Sequence, residues 1–235
     1  ENEKMRANLL RAISHDLRTP LTSIYGSTST LISQYDVLTK EKQLQLLGEI
    51  REDSEWLIRL VENLLSVTRI DNANVEIIKT PTVLDELIDS VLMKFLKKYP
   101  NQKVITNIPD DFVDIPMDSI LIEQVLLNFL ENAVFHAKGM TELTLSVFLA
   151  YNQAIFEVAD NGCGISEDAI DTIFAGSCYR SAAPVDGTRS NMGIGLSVCA
   201  AIIKAHGNEI SVKNRAEGGA LFRFSLEREC DDNEQ

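Results

Sequence analysis

Residues 14–21 read Ser-His-Asp-Leu-Arg-Thr-Pro-Leu, and three of them are of types that can do chemistry together. Leu10, Ile13, Leu17, Ile24, Thr28 and Leu31 recur at spacings of three, four or seven, which predicts a helix over 3–33 with a narrow packing seam. A helix turns by about 100° per residue, so His15 lies roughly 200° from both Ile13 and Leu17 and its ring faces solvent, within reach of another domain. Asp16 can accept a hydrogen bond from the imidazole or take its proton, leaving one ring nitrogen as a neutral nucleophile. Thr19, one turn on, shares the face of His15, and its hydroxyl can hold a water beside whatever the ring carries. Pro20 removes a backbone donor, so a local bend is expected there. An ordinary exposed histidine beside a helical aspartate would give the same pair.

Three further constellations lie in the second half. Asn128, Asn132 and His136 fall on one helical file beside the apolar stripe Ile122, Val125, Phe129 and Ala133, so polar groups line one edge of a buried helix. An amide oxygen is a hard, neutral ligand of the kind Mg²⁺ takes together with waters and phosphates. Two asparagines at this spacing could equally be surface residues or a cap. In Asp160-Asn161-Gly162-Cys163-Gly164-Ile165, strand alternation puts Phe156, Val158 and Asp160 on one face, which carries a carboxylate into the interior, where it needs a donor. Gly162 and Gly164 let backbone come close to a flat ligand, although Asp-Asn-Gly is also a common turn. Met192-Gly193-Ile194-Gly195-Leu196-Ser197 opens a helix whose free N–H groups could cradle phosphate, a weak signal by itself.

These residues must be held by two kinds of architecture. After a polar break at 34–39, residues 41–70 carry Leu47, Ile50, Leu57, Leu60, Val61, Leu64 and Leu65 at helical spacing, so two long helices form a hairpin. One hairpin cannot bury both faces of its seam, and dimerisation into a four-helix bundle would. Around 71–81 the pattern changes, and we place the domains at 1–73 and 74–235. Helices are expected at 83–98, 117–137, 167–174 and 196–205, and strands at 104–107, 143–149, 154–159, 209–213 and 220–226. The fold class is α+β: a helical hairpin followed by a two-layer sandwich of helices on a mostly antiparallel sheet. Residues 175–192 are rich in Ser, Ala, Gly and Pro and long enough to be a lid. The acidic tail at 227–235 is expected to fray.

Composition narrows the functional classes. Thirty-five acidic against 22 basic residues give a net charge of -13 over 235 residues, which disfavours nucleic acid and anionic membrane as partners. Cys163, Cys178, Cys199 and Cys230 contain no C-x-x-C pair, so zinc and a disulfide framework are not expected and a reducing compartment fits better. The apolar runs are shorter than a bilayer span, and the chain reads as a soluble piece of a longer protein.

The run around His15 resembles the H-box of two-component sensor histidine kinases, and the hairpin resembles their dimerisation and histidine-phosphotransfer domain. Asn128 to His136 resembles the N-box, Asp160 to Ile165 the Asp-x-Gly-x-Gly box, Phe174 with Tyr179-Arg180 the aromatic residue and the pair at the lid start, and Gly193 to Leu196 the glycine box. Gly218 to Phe222 resembles the last strand pair of the GHKL, or Bergerat-like, ATP-binding domain, so the resemblance spans nearly the whole chain. It implies ATP with Mg²⁺ as cofactors, with Asn132 as metal ligand, Asp160 on the adenine amine, and Asn128, His136, Gly162, Gly164, Ile165, Tyr179, Arg180, Gly193, Gly195 and Leu196 around the nucleotide. His15, Asp16 and Thr19 are then the catalytic group of a protein-histidine kinase, which also dephosphorylates its regulator in some members. The implied partners are a second copy of the chain and the receiver domain of a response regulator. The implied place is the cytoplasm, with the parent protein anchored in a bacterial inner membrane by upstream segments. Within the class, the His15 run followed by Ile24 and Gly26 resembles potassium-responsive kinases.

Two positions depart from the family pattern. Asn191 stands where a glycine is usual, and Phe135 stands where a basic residue commonly follows the metal-binding asparagine. Arg180 is the expected replacement cation, with Arg189 as the other candidate. Two other readings keep the nucleotide fold: a GHKL ATPase of the gyrase, mismatch-repair or chaperone type, which has no reason to carry the hairpin, and a dimeric scaffold with a degenerate ATP site.

Overall fold

The computed structural model describes residues 2–71, 77–174 and 194–228 and divides the chain into two compact units, Glu1–Leu65 and Ser66–Gln235. In the first unit, α1 (Asn2–Ser33) runs on through Pro20 and α2 (Lys40–Asp71) follows a short turn. Thr39 caps the second helix by accepting the Lys42 N–H at 3.3 Å, and Gln43 reaches back to donate to the Tyr35 carbonyl at 2.9 Å, so side chains tie the turn shut. In the described part of the α1 seam, Leu17, Ile24, Thr28 and Leu31 are half-buried as the periodicity predicts, while the side chains of Leu10 and Ile13 lie outside the described residues. The seam of α2 differs at two of its described positions, and the side chains of Leu60, Leu64 and Leu65 lie outside the described residues. Leu46 is buried where Leu47 was expected, and Val61 is also exposed. Asp53 is only 1% exposed in the same stripe, and Ser27 donates across the hairpin to Glu49 at 3.3 Å. The inner face is therefore partly polar, a feature that a search for apolar period misses.

The second unit is a five-stranded mixed sheet with helices packed on it. Its strands are β2 (Ile105–Asn107), β4 (Leu143–Ala150), β5 (Gln153–Asp160), β6 (Ile210–Asn214) and β7 (Ala220–Glu227), in the order β2-β4-β5-β7-β6. Only β2, paired with β4, is parallel to its neighbour. The helices are α3 (Leu84–Lys98), α4 (Ser119–His136), the short α5 (Glu167–Ile170) and α6 (Ile194–Ala205). Strand β5 alternates faithfully, with Ala154, Phe156, Val158 and Asp160 all on the buried face. Phe129 of α4 meets Phe222 and Phe224 of β7 at centroid distances of 5.1 and 6.1 Å, and Phe224 stacks on Phe156 at 4.8 Å, so one aromatic cluster fastens the central helix to the central strands.

A two-stranded sheet of β1 (Thr80–Val83) and β3 (Asp114–Met117) has no counterpart in the periodicity. Each strand is four residues long and holds a proline, and Pro81 and Pro116 face each other in register, so neither alternation nor propensity marks them. Helix α4 correspondingly starts at Ser119 and not at Met117: Met117 ends β3, and Asp118 caps the helix by accepting the Leu121 N–H at 3.2 Å. The helix expected over 167–174 stops at Ile170 and continues as turns.

His206 joins α6 to the start of α4. It is 1% exposed; Nδ1 donates to the Ile202 carbonyl at 2.8 Å and Nε2 accepts the Asp118 N–H at 3.2 Å, while its own carbonyl accepts from Lys79 at 2.8 Å. Burial is the main cause holding this imidazole below the usual histidine value of 6.5; the carbonyl of Ile202 and Asp118 pull it up, and Lys79 pushes it down. A proton on Nε2 would set two donors against each other. Because the unfolded chain binds that proton more readily, stability rises with pH between the lowered folded value and about 6.5. Calorimetric unfolding temperature is expected to fall as pH drops below about 6.5, levelling only beneath the folded-state value, and His206→Gln is expected to flatten that interval.

Candidate functional site

The first unit carries His15 and Asp16 on α1, where the sequence places them, although their side chains lie outside the described residues. Thr19 is exposed one turn on. Pro20 has no N–H to give the carbonyl of Asp16, so the helix lacks one internal bond at the acidic residue beside His15. Beyond it a groove of about 410 Å³ is lined by Leu17, Arg18, Leu21, Thr22 and Tyr25, and Tyr25 is 74% exposed.

In the second unit, the aromatic cluster turns Phe129 and Ala133 of α4 inward, which leaves Asn128 and Asn132 half-buried along the helix edge and His136 exposed at its end. The Asn128 amide donates to Cys199 of α6 at 3.5 Å. That thiol is wholly enclosed, and burial pushes its pKa up to about 12, so it stays a neutral packing group. Crowding by neighbours holds the His136 imidazole below the usual histidine value, even though the residue keeps surface open to solvent.

The loop after β5 meets the end of this helix. Asp160 is 4% exposed, and one carboxylate oxygen accepts the Gly162 N–H at 2.8 Å. The two loop glycines, expected to make room for a flat ligand, are required by the protein itself. A Cβ on Gly162 would lie 2.7 Å from Cβ of Ala137, and Gly164, at φ +70°, would bring one within 2.8 Å of the Asn214 side chain. Asn161 Oδ1 accepts from the backbone N–H groups of Thr141 and Glu142, each at 2.9 Å, and its amide donates to Thr141 Oγ1 at 2.9 Å, which ties the loop to the connection leading into β4.

The opposite side of the loop is held by residues that motif reading missed. The Asn214 side chain donates to the Ile165 carbonyl at 2.6 Å and accepts its N–H at 2.8 Å. Arg215 donates to the Asp160 carbonyl at 3.0 Å. The signal that could have found them is their place at the β6–β7 turn, ahead of Gly218-Gly219, where a polar side chain can replace a missing strand partner.

Helix α6 opens with Gly195 half-buried and Leu196 buried, so its first turn is set against the core with its N–H groups at the helix start. Gly193, Tyr179, Arg180, Arg189 and Asn191 lie outside the described residues. Phe174 packs edge-on against Phe222 at 6.4 Å. Phe135, 40% exposed, sits edge-on to Tyr99 at 6.1 Å, and Lys98 lies over the Tyr99 ring at 5.5 Å while pairing with Glu131 at 2.6 Å. The position that commonly holds a cation is thus spent here on aromatic packing between α3 and α4.

Residues 5–73 match the family described as His Kinase A (phospho-acceptor) domain, and residues 117–229 match Histidine kinase-, DNA gyrase B-, and HSP90-like ATPase. Sensor protein KdpD of Clostridium acetobutylicum is 39% identical over 97% of this chain, which spans about a quarter (25%) of that protein's length. Among solved structures, Acinetobacter baumannii histidine kinase AdeS superposes with a TM-score of 0.68 at 22% identity, covering 92% of this chain and 98% of that one. Histidine kinase ThkA, in complex with response regulator protein TrrA, superposes at 0.74 with 22% identity, covering 97% of this chain and 64% of that one. At that identity the two structures speak for the fold alone.

One consequence of the loop packing is testable without a ligand. Gly219, at φ +86°, would place a Cβ 2.0 Å from the Asp160 carbonyl oxygen. Gly219→Ala is therefore expected to lower unfolding free energy by on the order of 2 kcal/mol or more in denaturant titration, through backbone strain and displacement of the loop.

Proposed function

The chain belongs to the sensor histidine kinases, and we propose that it binds ATP with Mg²⁺ on its second unit, transfers the γ-phosphoryl group to His15, and passes it to an aspartate of a response regulator. The observation that carries the nucleotide part is the buried carboxylate of Asp160, set at the end of β5 beside a glycine loop and the polar edge of α4. A carboxylate there is matched to the exocyclic amine of adenine. Gly162, Gly164 and Ile165 form the loop beside the base, and Asn128 and His136 line the α4 side. The first turn of α6, with Gly195 and Leu196, offers N–H groups to the phosphates, and the preceding Gly193 is assigned to the same site by the glycine box. Tyr179 and Arg180, outside the described residues, belong to the same proposed site through their resemblance to the family's aromatic-basic pair.

Asn132 fits Mg²⁺ as a half-buried amide on α4. Mg²⁺ held by Asn132 would take its remaining ligands from water and phosphate oxygens, the shell this ion prefers. Held there, it would offset phosphate charge against a chain of net charge -13. Catalysis by this chain consists of holding the nucleotide and presenting His15. Asp16 keeps one imidazole nitrogen unprotonated for in-line attack, and the γ-phosphorus to ADP oxygen bond breaks as the nitrogen to phosphorus bond forms. Thr19, exposed one turn from His15, would hold a water for dephosphorylation of the partner regulator.

The chain acts as a homodimer, because Leu21, Tyr25, Leu47 and Val61 leave the hairpin with exposed apolar surface that a second copy covers in a four-helix bundle. A division at 73/74, a receiver domain as the phosphoryl acceptor, a potassium-responsive subclass and a parent anchored in a bacterial inner membrane belong to the same proposal. Among the described residues no helix is long and apolar enough to cross a membrane.

Incubation with γ-labelled ATP and Mg²⁺ tests the kinase step. Acid-labile, base-stable label is expected on the protein and is expected to vanish in His15→Ala while nucleotide affinity stays nearly unchanged; label surviving in that variant would overturn the assignment. Asp160→Asn is expected to weaken ATP by about 1.5–3 kcal/mol in calorimetry, since the amide can turn a donor toward the adenine amine. An unaltered affinity would place the base elsewhere.

A further inference from the structure

We propose that Asn214 and Arg215 are positioning residues that set the preference for adenine, by holding both ends of the loop that carries Asp160. The proposal rests on the reading that Asp160 takes the adenine amine, and it concerns what keeps that carboxylate in place.

After Asp160 the chain leaves the sheet. Its last ladder partners are Leu143 for Asp160 on one side and Leu221 for Ala159 on the other, and the next five residues run without strand neighbours. Two side chains from one turn replace those neighbours. Asn214 makes both hydrogen bonds to Ile165 that a paired strand residue would make, at 2.6 and 2.8 Å. Arg215 anchors the other end by donating to the Asp160 carbonyl at 3.0 Å. They are adjacent at the end of β6, and the Arg215 N–H closes the turn onto the Gly219 carbonyl at 2.9 Å, so the span between the two anchors is fixed by a single rigid hairpin.

The choice of partner by Arg215 bears on its role. In a chain with 35 acidic residues its guanidinium meets one carboxylate, that of exposed Glu217 at 3.4 Å, and gives its shorter bond to a neutral carbonyl. That carbonyl belongs to the residue whose side chain reads the base. Gly219 stands directly behind the same carbonyl, with no room for a Cβ, so the contact is held from two directions. A carboxylate that must meet one amine needs a position fixed to a fraction of an ångström, and that precision has to come from the groups around it. Phosphate binding depends instead on α4 and α6. Loosening the 214–215 anchor should therefore cost the ligand that uses the amine and spare one that lacks it.

Calorimetry on the whole chain with Mg²⁺ and either ADP or IDP separates the two, because IDP carries a carbonyl where ADP carries the amine. The unmodified chain is expected to favour ADP by about tenfold or more. Asn214→Ala and Arg215→Ala are each expected to weaken ADP about five- to tenfold and to leave IDP within about twofold, and Arg215→Lys, whose ammonium can still donate to the carbonyl, to recover most of the ADP loss. A variant that merely destabilises the domain would weaken both nucleotides alike. Equal losses for ADP and IDP, or an ADP affinity unmoved in both alanine variants, would overturn the proposal; should Asn214→Ala fail to fold, Arg215→Ala with its lysine rescue decides by itself. Asp160→Asn separates the two levels of inference. If it collapses the ADP preference while Asn214→Ala and Arg215→Ala keep it, the positioning role alone fails; if it leaves the preference intact, the assignment of Asp160 to the base fails.

Discussion

The rotation of α4 about its own axis decides what the second unit can do, and Phe129 sets that rotation. Its ring is enclosed by Phe222 and Phe224 of the central strands, with Phe156 stacked behind. A helix pinned at one such residue presents the positions one and three residues away at fixed angles, so Asn128 and Asn132 must lie along the edge and His136 at the end of the same file. The same packing brings Ala137 against Gly162, which joins the helix end to the Asp160 loop. Large aromatic burial, the strongest term available to a domain this size, is thus used to aim groups that contribute little stability themselves.

Charge is arranged on a different principle. The chain is strongly acidic, yet among the described residues several cations of the second unit are committed to neighbours: Lys94 to Glu123, Lys98 to Glu131, Arg215 to a carbonyl. Pairs of this kind on a wet surface contribute little to stability. They do keep α3 in register with α4, and Lys98 with Tyr99 fills the space beside Phe135 that a longer basic side chain would otherwise contest. In the proposed site, attraction for an anionic nucleotide would then fall to backbone N–H groups at the start of α6, to a divalent ion and to Arg180, all of which act over a short range.

The legible parts of this protein were those with a period. Helix spacing marks α1, α2 and α4, and alternation along β5 puts Asp160 on the buried face. Illegible were features created by tertiary contact. The short β1 and β3, each broken by a proline, exist because they pair with one another, and β3 displaced the expected start of α4 by two residues. Leu46 and not Leu47 faces inward because Leu46, Ile50, Asp53 and Leu57 follow one four-three-four spacing, and the polar Asp53 hides that register from a count of apolar residues. Asn214, Arg215 and His206 carry no motif, and their importance comes from what the fold brings to them: a loop without strand partners, and a helix cap from 88 residues earlier in the chain.

The glycines show how easily a motif is credited to the wrong cause. Gly162 and Gly164 belong to a pattern associated with nucleotide, and room for a flat base is a natural explanation. In this fold each already has a reason that involves no ligand: one is pressed on Ala137, and the other, with positive φ, lies against Asn214. Gly219 meets the same loop from behind. Three backbones brought this close leave little freedom for the Asp160 side chain, which is what selective recognition of one amine demands. The loop is therefore shaped by contacts within the protein, and in the proposed site its glycines would act on the base through the rigidity they permit.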